Sequence, residues 1–259
     1  MSATFAQYAA YYDLLYKDKD YAGECRYVRA LLTEHASGPT KSILELGSGT
    51  GAHASLLSEM GFDVLGVDIS DCMLKEANAR AARTGLPAAK LTFARGDART
   101  FRTGRSFDAV LALFHVLSYQ TNDDDVRSTL ATAAAHLRPM GLFIFDFWYG
   151  PSVLWQRPAV RIKHFTGNGL EVTRTAEPIL RDQTNIVDVN YTVFARSQSE
   201  FRTDEVREIH RMRYFFLPEL AQFLRESGFE LLRAEEWVTR SPPSVDTWSL
   251  CVVARKNAQ

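Results

Sequence analysis

Glu45-Leu46-Gly47-Ser48-Gly49-Thr50-Gly51 is the segment of this 259-residue chain best suited to hold a ligand. Glycines at alternate positions remove Cβ atoms where the chain turns, so a ligand can lie against bare backbone at a helix N-terminus. A plain strand-to-helix connector has the same composition. Two acids downstream favour the ligand. Asp68 closes the next apolar run, where a carboxylate accepts hydrogen bonds from both hydroxyls of an adenosine ribose, or else caps a helix. Gly96-Asp97-Ala98 follows the third run and sets a second carboxylate on the same sheet edge, placed to accept from an exocyclic amine. A dinucleotide site asks for G-x-G-x-x-G, whereas the third glycine here falls one residue early, and a nicotinamide dinucleotide has no use for Asp97.

These groups need elements to position them. Apolar runs at 42–47, 63–69, 91–95, 107–113 and 142–148 alternate with helical patterns at 51–60, 70–84 and 122–137. That rhythm predicts a parallel sheet covered on both faces. The first forty residues predict aromatic-rich helices: Phe5, Tyr8, Tyr11 and Tyr12 recur at spacings of three and four, and a second pattern runs from Tyr21 to Glu34 before Ser37-Gly38-Pro39. After Pro151 the period becomes two. Strands are expected at 159–165, 170–176, 186–194 and 205–215 with no helix between them, an antiparallel layer packed on the core. A helix starts at Pro218 and stops at Gly228, and strands at 230–238 and 246–254 follow. The expected organisation is a single unit: a helical cap at 1–40, a cofactor-binding core at 41–150, an antiparallel lid at 151–216, and a last helix and two strands at 217–259.

Composition removes several classes of function. Thirty basic against 31 acidic residues leave a net charge of −1, so no global field recruits nucleic acid or an anionic membrane. Cys25, Cys72 and Cys251 lie far apart, form no CxxC or Cys/His cluster, and are read as reduced thiols of a cytoplasmic protein. The opening MSATFAQYAAYYD lacks a cationic and an apolar region, and no apolar run approaches the ~20 residues that span a bilayer. Asp123-Asp124-Asp125 after Asn122 is read as a capped helix start, and no metal is assigned.

Glycine loop, ribose acid, G-D-A and Pro139-Met140-Gly141 before the fifth run, in that order, resemble the class I S-adenosylmethionine-dependent methyltransferases. The resemblance covers 42–148 and implies an α/β, Rossmann-like, seven-stranded sheet whose last strand, at 246–254, inserts antiparallel. By that resemblance Gly47, Ser48 and Gly49 face the methionine end of S-adenosylmethionine, and Asp68 binds its ribose. Ile69 and Met73 sandwich the adenine, Asp97 and Ala98 meet its edge, and Leu113 and Phe114 lie beneath the methionine. Met140 stands where many members have glycine. Tyr12-Asp13-Leu14, Lys19-Asp20-Tyr21, Glu24, Phe114, Tyr119, Trp148-Tyr149, Val189, Tyr191, Val193, Glu208, His210 and Phe215 are similar to the bacterial N-methyltransferases of nucleotide-linked amino sugars, the desosamine and mycaminose type. The implied acceptor is a small molecule, an amine of such a sugar, with S-adenosylhomocysteine as the other product and a monomer or homodimer as the working form. That family's glycine-rich C-terminal segment is replaced by Arg240-Ser241-Pro242-Pro243-Ser244.

Methyl transfer from a sulfonium is an in-line displacement, so positioning and desolvation carry most of it. An amine must lose a proton to expose its lone pair, and a His or Tyr can receive it. His115, Tyr119 and His210 are the candidates; each can equally be a structural residue beside the cofactor or in the lid. Phe5, Tyr8 and Tyr12 can close over the sulfonium or pack as an amphipathic face, and the resemblance assigns Tyr12 and Tyr21 to the cofactor. Trp148 and Tyr149 join the acceptor side. Arg161, Arg174, Arg211 and Arg213 can clamp a diphosphate or stand solvated on the strands. The rival readings are an NAD(P)-dependent oxidoreductase and a non-catalytic cofactor-binding subunit.

Overall fold

A computed structural model describes residues 9–167, 169–197 and 203–258. Five apolar runs form parallel strands: β1 (Ser42–Leu46), β2 (Asp63–Asp68), β3 (Leu91–Arg95), β4 (Phe107–Ala112) and β5 (Leu137–Tyr149), in the order β3-β2-β1-β4-β5. β11 (Ser249–Lys256) adds antiparallel to β5, and β10 (Phe229–Glu236) antiparallel to β11, which completes seven strands. Alternate residues of each strand feed two cores, as a doubly covered sheet requires. Leu44, Val110, Phe143 and Phe145 pack under α5 (Asp123–His136) and α7 (Leu217–Glu226). Ile43, Leu111 and Ile144 pack under α2 (Tyr21–His35) and α3 (Ala52–Glu59), beside which α4 (Asp71–Arg83) lies. The strands' carboxyl ends open on one edge, where ligands sit in such sheets.

The residues after Pro151 form the antiparallel layer: β6 (Arg161–Gly167), β7 (Leu170–Arg181), β8 (Ile186–Ser197) and β9 (Thr203–Phe215). This layer continues the core sheet as well as packing on it, because Trp148 and Tyr149 at the end of β5 pair in parallel with Tyr214 and Phe215 of β9. β7 runs five residues beyond its expected end, through Pro178. Its partner β6 stops at Arg161, opposite Ala176, so Pro178 sits on an open edge that needs no N–H donor. A short helix not expected from periodicity, α6 (Gly150–Gln156), carries Pro151 in its first turn. β5 begins five residues early and absorbs Pro139-Met140-Gly141 as an irregularity opposite Phe107 and Ala109; Met140 there has φ 64°, the conformation glycine favours. β10 ends two residues early because Val238 and Arg240 turn through left-handed φ, and β11 starts at 249, after the Ser244–Thr247 turn.

α1 (Ala9–Leu15) bridges core and lid. Asp13 accepts from Thr50 Oγ1 at 2.7 Å and pairs with Arg80 of α4, while Tyr11 donates to Asp204 of β9 and Lys17 to the Thr166 carbonyl of β6. No helix among the described residues is long and apolar enough to cross a membrane.

Candidate active site

The glycine loop, the carboxyl ends of β2 to β5 and the inner face of the lid enclose one cavity of about 610 Å³, within the size range of small-molecule sites. Gly49 has φ 54° and nothing within 4 Å of the position its Cβ would take, so the loop presents bare backbone to open space. Gly51, φ 75°, has the Phe93 ring 2.6 Å and Ala77 of α4 3.2 Å from its Cβ position, so a side chain there would crowd both. Asp68 sits between loop and cavity: one oxygen accepts from the Gly49 N–H at 2.8 Å and the other from the Ser70 N–H at 2.8 Å. A carboxylate has about four acceptor positions, so these bonds do not exhaust its capacity. Burial pushes the Asp68 carboxyl up, and those backbone N–H groups oppose the shift.

Every residue expected at the cofactor lines this cavity: Tyr12, Tyr21, Gly47, Ser48, Gly49, Asp68, Ile69, Met73, Asp97, Ala98, Leu113 and Phe114. Asp97 is already occupied. Both its oxygens accept from the Arg99 guanidinium, which reaches on to Asp125 at 2.9 Å and holds the Asp97 carboxyl down. Beneath the loop, His53 bonds Glu24 at 2.7 Å, with the Tyr21 ring 4.9 Å away, and Glu24 also pairs with Lys19. Burial alone would raise Glu24, but His53 and Lys19 hold it near 2. Glu45, fully enclosed and close to the charge of Asp68, is pushed up to about 8.

His115, Tyr119, His210 and Trp148 line the same cavity from its other side. Phe114 and His115 both adopt left-handed backbone, φ 63° and 65°, a costly pair for residues with side chains. The turn is held by the His115 N–H donating to Asp146 at 3.1 Å, Asp146 itself accepting from Ser249 Oγ. Burial pushes His115 down, against the pull of Asp146, so its imidazole is neutral at neutral pH. Tyr119 Oη and His210 Nδ1 are 2.8 Å apart.

The remaining expectations fare differently. Phe5 and Tyr8 lie outside the described residues. Tyr149 does not reach the cavity: alternation along β5 sends Trp148 to the ligand side and Tyr149 into the core under α5 and α7. Arg213 is no phosphate clamp. It is buried, paired with Asp123 at 2.8 Å and with Glu219, and laid over Phe215, where it ties α5 and α7 to β9. Arg211 pairs with Asp188 on the outer face of the lid. Arg174 stacks on Tyr16 and Tyr191, each 5.3 Å away and each lining the cavity, so it sits at the lip. Arg161 is exposed on the same face of the lid, and Lys163, directly opposite Arg174, joins them.

Tyr16, His53, Tyr191, Met212 and Trp248 also line the cavity and were missed. Tyr16 had a signal, standing four residues after Tyr12; Tyr191 alternates with Val189 and Val193. Trp248 had none, since only the pairing of Ser249 with Trp148 brings its ring to 5.4 Å from that of Trp148.

A parallel sheet with one antiparallel strand inserted beside β5, a glycine loop after β1 and acids after β2 and β3 define the class I methyltransferase architecture. A methyltransferase domain family matches residues 43–141. The chain is 30% identical over 191 residues, 72% of its own length and 76% of the relative's, to the dTDP-3-amino-3,4,6-trideoxy-alpha-D-glucopyranose N,N-dimethyltransferase of Streptomyces venezuelae. Its fold matches an S-adenosylmethionine-dependent methyltransferase from Clostridium acetobutylicum with a TM-score of 0.82 at 21% identity, over 96% of both chains. It matches the S-adenosylmethionine-bound amino pentose methyltransferase CalS10 of Micromonospora echinaspora with a TM-score of 0.72 at 23% identity, over 93% of both. The protein belongs to the class I S-adenosylmethionine-dependent methyltransferases, among the relatives of the bacterial amino sugar N-methyltransferases. Its cofactor is S-adenosylmethionine, and the cavity fits that molecule's polarity. Ser48 Oγ and His115 Nε2, on the cavity wall, are buried polar atoms with no hydrogen bond from the protein, although Asp146 lies 3.4 Å from His115 Nε2. Buried atoms of this kind need partners that a polar ligand supplies.

Proposed function

We propose that the enzyme transfers a methyl group to the nitrogen of a small acceptor, the amine of a nucleotide-linked amino sugar. In this reading Gly47, Ser48, Gly49 and Tyr21 hold the methionine end of the cofactor, Asp68 the ribose, and Ile69, Met73 and Ala98 the adenine, with Asp97, held by Arg99, beside its edge. Tyr12, Leu113 and Phe114 close over the sulfonium. The cofactor supplies an electrophilic methyl group on a good leaving group. The chain's own work is to exclude water and aim a nitrogen lone pair along the carbon–sulfur axis. Trp148, Tyr191 and Trp248 wall the acceptor side with ring faces, which suits a cation or a sugar's apolar face. His115, neutral through burial, and the Tyr119–His210 pair offer proton acceptors there.

The observation that carries the acceptor class is the joint lining: a polar tyrosine–histidine pair shares one cavity with the glycine loop and Asp68, and a basic lip stands outside it. Arg161, Lys163 and Arg174 share one face of the lid beside Tyr191, the right chemistry for a diphosphate whose sugar points inward. The amino sugars named in the Streptomyces relative support the same choice. Replacing Lys163 and Arg174 by Ala tests it. With a dTDP-linked amino sugar, KM should rise tenfold or more, the weight of about 1.5–3 kcal/mol per charged hydrogen bond, with kcat little changed. An unchanged KM would show that no phosphate is held at the lip.

A further inference from the structure

Asp146 is a carboxylate enclosed within β5, 1% exposed, and three protein groups converge on it. Ser249 of β11, two residues before the Cys251 that pairs with Asp146, gives its Oγ–H to Oδ2 at 3.1 Å. The other two groups belong to His115, just past the end of β4. Its backbone N–H donates to Oδ1 at 3.1 Å, and its Nε2 lies 3.4 Å from Oδ2. We propose that His115 and Asp146 act as a dyad, in which Asp146 turns the imidazole so that Nδ1 faces the cavity and takes a proton from the acceptor's ammonium group. The proposal rests on the amine-acceptor reading above and names the base within it.

Backbone and valence both point this way. Left-handed φ at Phe114 and His115 is costly for residues with side chains and persists where the surroundings compel it, chiefly at functional sites. Here it brings the imidazole to the cavity wall, with 17% of the side chain exposed. Nε2 is buried, so Nδ1 is the ring nitrogen left for a group in the cavity, and it takes no hydrogen bond among the described residues. A carboxylate only accepts, so the proton facing Asp146 belongs to Nε2 and the lone pair to Nδ1. At 3.4 Å the pair is longer than a charge-assisted bond of about 2.7–2.9 Å, which leaves contraction to be gained when the ring becomes an imidazolium. Burial disfavours the charged ring, and Lys19, between α1 and α2, adds to the effect. Asp146 and Glu24 of α2 oppose them, and the neutral ring that results is a base. Cys251 beside Asp146 is a thiol that burial keeps protonated, and Tyr16, Asp68, Tyr119 and His210 line the same cavity.

The proton balance is simple. The ammonium N–H gives its proton to His115 Nδ1, and the N–H electron pair becomes the amine's lone pair. The imidazolium so formed donates from Nε2 to Asp146, which compensates its charge in the buried wall. The amine's lone pair then forms the nitrogen–carbon bond as the carbon–sulfur bond breaks toward sulfur, and His115 returns its proton to solvent when product leaves. His115 is the catalytic residue of the pair; Asp146, itself held by Ser249, is a positioning residue acting through it.

Two measurements test the dyad. Nitrogen NMR of 15N-histidine protein bound to S-adenosylhomocysteine, with His115 assigned by its loss in His115→Asn, should show a neutral ring carrying its proton on Nε2. The near-isosteric Asp146→Asn should lower the pH at which that ring titrates. A proton on Nδ1, or a titration that Asp146→Asn leaves unmoved, would overturn the proposal. In pH–rate profiles with a dTDP-linked 3-amino sugar, His115→Asn, which tolerates left-handed backbone, should lose on the order of a hundredfold in kcat/KM near neutral pH. The loss should shrink as pH approaches the amine's own pKa, with affinity for S-adenosylhomocysteine unchanged. An equal loss at every pH would mean that His115 only packs, and would defeat the proposal while the acceptor reading stands. A wild-type enzyme that methylates no amine would defeat the acceptor reading and the proton transfer with it.

Discussion

Asp68 is fixed by the Gly49 and Ser70 N–H groups beside the cavity that it lines, and the proposed reading gives it the ribose. Asp68→Ala should weaken S-adenosylhomocysteine binding by about 1.5–3 kcal/mol in calorimetric titration, and an unchanged affinity would remove it from the ribose. Glu45 gives a stability signature. Its carboxyl ionises near 4.5 in the unfolded chain and near 8 in the folded one, so its contribution is complete below pH 4.5 and falls as pH rises to 8. The slope is up to about 1.4 kcal/mol per pH unit. Glu24, held near 2, has the opposite sign: its contribution is complete above pH 4.5 and is lost as acid takes the pH down toward 2. Glu45→Gln should therefore flatten the fall of Tm between pH 5 and 8; an unaltered slope would show that Glu45 is ionised in the fold. The places of Gly47, Asp68 and Asp97 on the cavity wall were legible because each closes or follows one strand. Tyr149 and Arg213 were misread because their fate depends on strand parity and on Asp123 and Glu219, which no local pattern announces.

Among the elements, the core strands could be read because a sheet buried on both faces writes continuous apolar runs. The lid strands followed from period-two alternation. Their junction with the core did not, since the Trp148–Tyr214 pairing joins residues far apart in sequence. α6 and the extra length of β7 escaped although Pro151 stands in a first helical turn and Pro178 on an open edge, places where proline interrupts nothing. α1 shows what the cap does: Asp13 clips it to Thr50 of the glycine loop and to Arg80, while Tyr11 and Lys17 hold the lid. Tyr12 and Tyr16 are thereby kept in the cavity wall. Asp13→Ala should speed S-adenosylhomocysteine release several-fold in stopped-flow displacement, as the clip contributes about 1 kcal/mol. A release rate equal to wild type would mean that α1 does not gate the site.

For the whole molecule, a net charge of −1 hides a local arrangement: Arg161, Lys163 and Arg174 share one lid face beside a cavity that they do not line, and His210, paired with Glu208, lines that cavity. On the proposed reading cofactor and acceptor meet where the ends of β1 and β2 face the lid, and β5 joins the two sheets by pairing with both β11 and β9. The central claim is that this junction delivers a methyl group to nitrogen. The direct measurement uses S-adenosylmethionine labelled with 13C in its methyl group, together with the dTDP-linked 3-amino sugar named in the Streptomyces relative. Product analysis by mass spectrometry and 13C–1H NMR should show the labelled methyl bonded to the sugar nitrogen, with one S-adenosylhomocysteine formed for each methyl transferred. Label on an oxygen, or no labelled sugar at all, would contradict it.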